Sequence, residues 1–360
     1  MIHIVIGTKA QLIKMAPVML ALRSAGVPYR FISTGQHHET IDDILANFSL
    51  PRPDVRLYAG KDITSIPAMA LWSLRLLWRS LRHRVEVFGP VPTGVVLVHG
   101  DTFSTLLGAV MGRIAGLKVG HVEAGLRSFD WRHPFPEEIT RLLTFRLAHY
   151  LFCPGPWAVA NLARYPGKKI DTGANTLLDA LILALANREA SPTDSPGEPF
   201  GVVSLHRFEN IYTRRALDRV LTLVERIARR HRLVFILHKP TTGKLRQFGL
   251  MERLEANSQI ELRARTDYFA FIRLLSAATF AVSDGGSNQE ECYYLGKPLL
   301  LLRQATERQE GLGENCLLSR YVPEAVDRFL DNVETYQRPL RHLPTSPSQV
   351  IADYCTALAA

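Results

Sequence analysis

Short apolar runs alternate with helical patterns along almost the whole chain. IHIVIG (2–7) precedes a helical pattern near 12–25, and YRFIST (29–34) precedes another near 39–48. VVLVHGD (95–101) leads to TLLGAVMGRIAG, KVGHVEA (118–124) to a helix opening at PEE, and YLFCPG (150–155) to WAVANLARY. After KIDTG (169–173) comes the apolar helix TLLDALILALANR, then the polar, Pro-rich stretch EASPTDSPGEP (189–199). The alternation then restarts with GVVSLHR (201–207), RLVFILHK (232–239), QIELRAR (259–265), TFAVSDGG (279–286) and PLLLLR (298–303). Strand followed by helix, repeated, predicts parallel sheets covered on both faces. Two such series predict an α/β protein of two Rossmann-like domains.

Length and composition agree: 360 residues with 47% hydrophobic and 21% charged exceed what one modest core holds. No apolar run reaches membrane-spanning length, and Met1 enters IHIVIG without a charged leader. Cys153, Cys292, Cys316 and Cys355 are far apart and lack zinc-site spacing. These features predict a cytoplasmic protein with reduced thiols and neither metal nor cofactor. The net charge of +9 leaves two readings open, attraction to polyanions or a cleft for one anionic small molecule. No nucleic-acid-binding module is recognisable. In the basic helical pattern of 69–85, Arg75, Arg79 and Arg82 share one face and Leu74, Trp78 and Leu81 another. That is either a solvated helix face or a weak membrane-surface contact; Trp72 and Trp78 are expected to be packing residues.

In open parallel sheets ligands bind outside the carboxyl ends of the strands. Those ends carry Gly7-Thr8-Lys9, Gly100-Asp101, His121 with Glu123, His206-Arg207, His238-Lys239, Asp284-Gly285-Gly286-Ser287 and Arg303. Charged groups at the strand ends of both halves predict a cleft between the domains, bordered by Glu123 and Glu137. At Asp284–Ser287 a strand gives way through glycines to a helix start, which suits a phosphate but also an ordinary capped turn. Lys9 and Lys14 either face an anion or lie on the surface. GTKAQLIK lacks GxGxxG, which counts against a nicotinamide enzyme. His99 is expected to be structural, and His121 and His238 are open between strand-end packing and a ligand.

GTKAQLIKMAP, TGQHHE, VLVHGDT, GHVEAGLRS, PFPEE, LHRFEN, QEE with LGKP, and TERQE occur in this order. Together they resemble the non-hydrolysing UDP-N-acetylglucosamine 2-epimerases, whose usual forms read GTRPEAIKMAP, TGQHRE, PEE, HRRE, DSGGIQEE and TERPE. The resemblance implies a GT-B-type pair of Rossmann-like domains, 1–173 and 174–346, with a C-terminal helix, about 347–360, packed back on the first. It implies inversion of C2 of a UDP-hexose by eliminating UDP to a glycal and adding it back. Alternatives on the same scaffold are a UDP-hexose lacking the N-acetyl group, a hydrolysing 2-epimerase releasing free sugar and, more distantly, a glycosyltransferase.

By the same resemblance Asp101, Glu123 and Glu137 match the acid/base carboxylates and His206 a catalytic histidine. Lys9, Lys14, Arg127, Arg207, His238, Gly285, Gly286, Ser287 and Arg308 match substrate-binding positions, with Phe271 against uracil and Glu291 on the ribose. Gln36, His37 and Glu39 match a site for a second, activating UDP-sugar, and a homodimer is implied. The departures are Lys9 for arginine, Ala10-Gln11 for Pro-Glu, Phe208 for the second arginine of HRRE, DGGSNQEE for DSGGIQEE, and Gln309 for proline. They point to an altered sugar or altered regulation.

Overall fold

A computed structural model of the chain describes residues 1–36, 41–60, 66–90, 93–130, 136–187, 197–306 and 308–359. Among the described residues the chain forms two compact units, Met1–Ala180 with Leu343–Ala360, and Leu181–His342. The division falls inside the helix Leu177–Ala186, several residues beyond the Gly173–Ala174 boundary expected from the sequence.

In the first unit the described strands are β1 (Ile2–Ile6), β2 (Tyr29–Ser33), β3 (Val55–Arg56), β4 (Val95–His99), β5 (Lys118–Val122), β6 (Tyr150–Cys153) and β7 (Lys168–Asp171). They pair in parallel in the order β3-β2-β1-β4-β5-β6-β7. The second unit repeats the plan with β8 (Phe200–Ser204), β9 (Arg232–Leu237), β10 (Ile260–Ala264), β11 (Phe280–Ser283), β12 (Leu299–Leu301) and β13 (Cys316–Leu318). Their order is β10-β9-β8-β11-β12-β13, again parallel. The strand order reverses between β1 and β4 and between β8 and β11. Crossovers on either side of such a point depart in opposite directions and leave a crevice at the carboxyl edge.

Every residue of β1, β4 and β8 is buried, as both-face coverage by helices requires. In the first unit Val5, Ile32, Val96, Val98 and Val119 pack with Trp72, Leu76, Phe88 and Phe145; in the second Val203, Phe235, Val282 and Leu300 pack with Leu221, Leu245 and Phe329. β3 and β13, only two and three residues long, are edge strands that no hydrophobic run announced. The C-terminal helix Pro347–Ala359 packs on the first helix, Lys9–Ser24. Its Tyr354 meets Tyr150 and Phe152 edge-on at 5.4 and 5.7 Å, and Asp179 Oδ2 accepts from the Ser348 N–H at 2.8 Å.

All four cysteines are free and buried. Among the described residues no helix is long and apolar enough to cross a membrane. On helix Ile66–Arg82, Trp72 and Leu76 face the core, whereas Leu71, Leu74, Trp78 and Leu81 are exposed. Trp78 is 61% exposed, so it is not the packing residue that the sequence suggested: the 3.6-residue repeat turns it directly away from the buried face.

Trp72→Ala should destabilise the protein by about 3–5 kcal/mol, measured by urea denaturation. A loss below about 1 kcal/mol would show that the helix is not anchored by this ring.

Candidate active site

The loops after β1 and β4 flank the reversal point of the first sheet, and one side chain ties them together. Thr8 caps helix Lys9–Ser24 by accepting from the Gln11 N–H, while Gln11 Oε1 accepts from the Gly7 and Thr8 N–H groups at 2.9 and 3.1 Å. The Gln11 amide nitrogen then donates to His99 O, Thr102 Oγ1 and Thr105 Oγ1 at 2.7, 3.0 and 2.8 Å. A glutamate at this position, as in the usual GTRPE form, has no N–H to donate across that gap. Lys9 opens the helix and is half-buried.

Glu123, one residue beyond β5, has φ +66°, a conformation costly for a residue with a Cβ. The turn holds its carboxylate back against the sheet edge, buried. Oε1 accepts from Lys14 Nζ and from Asn175 Nδ2, and Oε2 lies 3.7 Å from His99 Nε2. Gly100 has φ +70°, and a Cβ there would lie 3.2 Å from Glu123 Oε2, so any side chain before Asp101 would crowd Glu123; the Gly100 N–H itself donates to Val122 O at 3.0 Å. Burial of an ion pair in this setting demands good geometry, because each charge has left water.

Asp101 and Glu137 are joined from the other side. Arg141 donates through Nη2 to Asp101 Oδ2 and through Nη1 to Glu138 Oε2 at 2.6 Å. Glu138 also accepts from Arg127 Nε at 2.5 Å and the Ser128 N–H at 3.2 Å, while Arg127 stacks over Phe129. Burial alone would raise the Glu138 pKa, but the hydrogen bonds from Arg127 and Ser128 and the charges of Arg141 and Arg127 outweigh it and lower it. Thr140 Oγ1 donates to Asp101 O and to Glu137 O. Glu137 opens helix Glu137–Leu147, and its Oε2 is buried with no hydrogen-bond partner.

Asp101, Glu123 and Glu137 therefore share one edge of the first unit, with Lys14 held on Glu123 and Arg127 on Glu138. Gln36 is buried, with Oε1 accepting from Ser104 Oγ at 2.6 Å; His37 and Glu39 lie outside the described residues. His121 is wholly buried, its Nε2 2.7 Å from Gly100 O and its ring against Phe145. That burial pushes its pKa down to about 4, which marks a neutral structural ring beneath the site.

In the second unit Asp284, fully buried after β11, organises the loop after β8. It accepts from the His206 and Arg207 N–H groups, at 3.0 Å to nearer oxygens, and from Asn210 Nδ2 at 3.0 Å. The His206 ring rests on His238, centroids 4.7 Å apart. Burial lowers the pKa of His206, against the pull of Asp284 and with the help of Arg207. Burial and then His206 push His238 down to about 4, and its Nε2 meets Ser204 Oγ at 2.9 Å. Both rings are thus mainly neutral near pH 7.

Helix Gly286–Leu295 starts beside them, with Ser287 exposed in its first turn. A Cβ on Gly286 would lie 3.1 Å from Arg308 Nε and 3.4 Å from Arg207 Nη2. Two guanidinium groups thus flank a helix N-terminus, a strong anion site. Arg308 Nη1 also donates to Glu290 Oε2 at 3.0 Å. A Cβ on Gly285 would meet His206 Cε1 at 2.8 Å and Asn288 Oδ1 at 3.0 Å, so the missing serine of the usual motif makes room for the imidazole. Asn288 accepts from Ser283 Oγ and donates to Glu291 Oε2, both at 2.8 Å. Phe271 is half-buried one turn beyond Tyr268, whose hydroxyl feels the charges of Glu291 and Glu290.

Among the described residues no three His, Cys, Asp or Glu side chains converge as a metal site. Sequence reasoning marked Gln11 only as a departure from the usual motif and did not single out Thr140, Arg141, Asn175 or Asn288. Only the Glu138–Arg141 pair carried a signal, the i,i+3 spacing of opposite charges on a helix.

The sequence profile of the UDP-N-acetylglucosamine 2-epimerases matches residues 21–355. The chain is 32% identical to the UDP-N-acetylglucosamine 2-epimerase of Methanococcus maripaludis, over 95% of this chain and 93% of that one. Two solved structures superpose over 99% of both chains. One is the Methanocaldococcus jannaschii UDP-GlcNAc 2-epimerase in complex with UDP-GlcNAc and UDP, with TM-score 0.82 and 28% identity. The other is the Neisseria meningitidis enzyme bound to UDP-GlcNAc, with TM-score 0.83 and 27% identity.

An unfolded imidazole takes a proton near pH 6.5, whereas folded His121 stays neutral down to about 4. Its contribution is therefore complete above pH 6.5 and is lost as pH falls toward 4, by about 3 kcal/mol in total. In denaturant titrations at pH 7.5 and 4.5, His121→Gln should lose correspondingly less stability than the parent. Equal losses would exclude this ring as a source of acid sensitivity.

Proposed function

The chain belongs to the UDP-N-acetylglucosamine 2-epimerase family of isomerases, with the GT-B-like fold of its structural relatives, and we propose that it inverts C2 of UDP-N-acetylglucosamine. The C2 proton has no adjacent carbonyl to acidify it, so a carboxylate must remove it as the C1–O bond to UDP breaks. The C2–H electrons become the C1=C2 bond of a glycal and UDP leaves with the C1–O pair. Re-addition of UDP at C1 with a proton delivered to the opposite face of C2 gives the epimer. No net oxidation occurs.

The observation that carries this reading is that Asp101, Glu123 and Glu137 lie at one sheet edge, with the Gly100 N–H on Val122 O beside Glu123 and Thr140 on the Asp101 and Glu137 carbonyls. They handle the proton traffic. Glu137 stands beside Asp101 at the helix start, with one carboxylate oxygen buried and without a hydrogen-bond partner. The neutral rings of His206 and His238, the guanidinium groups of Arg207 and Arg308, and the amides at Gly286 and Ser287 are suited to the diphosphate, with Lys9 as a further cation. Glu291, oriented by Asn288, takes the ribose hydroxyls and Phe271 the uracil. The second UDP-sugar expected at Gln36 stays part of the proposal on the sequence resemblance, as does a cytoplasmic setting.

We further assign the apolar stripe of Leu71, Leu74, Trp78 and Leu81 to the homodimer. It points away from its own core, and a single helix face is self-complementary about a two-fold axis. The same face is the one weighed above for a membrane surface.

In deuterated water, incubation with UDP-GlcNAc should place deuterium at C2, and Asp101→Asn should slow this by about 10²–10⁴-fold. Unchanged exchange would remove Asp101 from the mechanism, and free reducing sugar as the product would make the enzyme hydrolytic. Turnover only of UDP-hexoses lacking the N-acetyl group would reassign the sugar.

Leu74→Glu with Trp78→Glu should convert a dimer to a monomer in sedimentation-velocity experiments. A parent that is monomeric and floats with anionic vesicles would give the face to membranes instead.

A further inference from the structure

The two adjacent glutamates at the start of helix Glu137–Leu147 are in different states, and one arginine divides them. Glu138 is 1% exposed and accepts from Arg127, Arg141 and the Ser128 N–H. It is saturated as an acceptor and unavailable to a sugar. Its neighbour Glu137 keeps a buried oxygen without a partner. Arg141, 6% exposed, reaches from Glu138 across to the Asp101 carboxylate. One residue earlier, the Thr140 hydroxyl is bound to the carbonyls of both Asp101 and Glu137.

We propose that Arg141 is a positioning residue for the epimerisation, locking the Asp101 carboxylate and the Glu137 helix start into one rigid frame. The inference rests on the function proposed above. Arg141 is buried with its guanidinium on Asp101 and Glu138, so it acts through those carboxylates and not on the sugar. The planar guanidinium is required because two carboxylates on different elements must be engaged from one head group. A lysine ammonium is a single point charge and cannot span both. Among the described residues, the charged or titratable groups beside this frame include His121, on Gly100 O, Arg127, on Glu138, and the Glu123–Lys14 pair.

The test compares Arg141→Gln, Arg141→Lys and Glu138→Gln with the parent for kcat and KM on UDP-GlcNAc, calorimetric UDP affinity and melting temperature. Arg141→Gln should lower kcat about 100-fold with little change in KM, the scale of a misplaced catalytic group. Added guanidinium should restore part of kcat, and Arg141→Lys should fall between. Glu138→Gln leaves the Arg141–Asp101 contact in place and should lower kcat less than Arg141→Gln does. A folded Arg141→Gln with parental kcat, or one changed only in melting temperature, overturns the proposal. If Arg141→Gln does not fold, Arg141→Lys decides alone, and a parental kcat there overturns it equally. Failure of the underlying function looks different: Asp101→Asn would then leave C2 exchange untouched as well.

Discussion

A parallel sheet covered on both faces can carry charge only at its strand ends, and this constraint organises the protein. β1, β4 and β8 have no exposed residue, so any acid or base placed within them would be desolvated without compensation. The chemistry is displaced to the carboxyl edge, where loops turn outward and helix N-termini face in. Reversal of strand order at β1/β4 and at β8/β11 opens the packing there twice, once in each unit. Asp101 follows β4 and Glu123 follows β5, while His206 and Asp284 follow β8 and β11. Each lies where a strand ends, with Asp284 fully buried beneath the loop that carries His206.

Carboxylates so placed need partners. Glu123 is held by Lys14 and Asn175, and Asp101 and Glu138 by Arg141. The same logic governs the second unit, where buried Asp284 is satisfied by two backbone N–H groups and an asparagine. Removing one member of such a buried set leaves a charge without its counterpart, which typically costs more than the pair contributes. Stability is therefore tied to these few side chains.

The departures from the usual family motifs have physical content. Gln11 is a donor where a glutamate is only an acceptor, and it uses that donor to link the two loops at the reversal point. Gly285 lacks the serine side chain whose Cβ would press on His206, and Asn288 fills the same space while orienting Glu291. The two changes form one arrangement. Phe208, in place of an arginine, is exposed and stacks on Tyr212 with centroids 4.0 Å apart. A cation has been exchanged there for an aromatic face, so the surroundings of His206 are less positive than the usual motif provides.

Periodicity and strand-end composition made the two-unit α/β architecture, the long strands and the polar strand ends at Asp101 and Glu123 legible from sequence, because burial on both faces forces an uninterrupted apolar run and expels polar groups to its end; the three carboxylates as a set came from the family resemblance. β3 and β13 were invisible, since two or three edge residues carry no period of their own. Trp78 and Trp72 look alike in sequence; only packing decided that one is core and the other surface. Lys14 read as a cation for a ligand or for solvent, yet it is buried on Glu123, 109 residues away. Arg141 showed its i,i+3 glutamate but not its second partner, Asp101, 40 residues away. Local sequence sets which groups are polar and where chains turn. Which of those groups neutralise each other, and which is left with an oxygen to spare, depends on contacts between distant segments that only the folded chain creates.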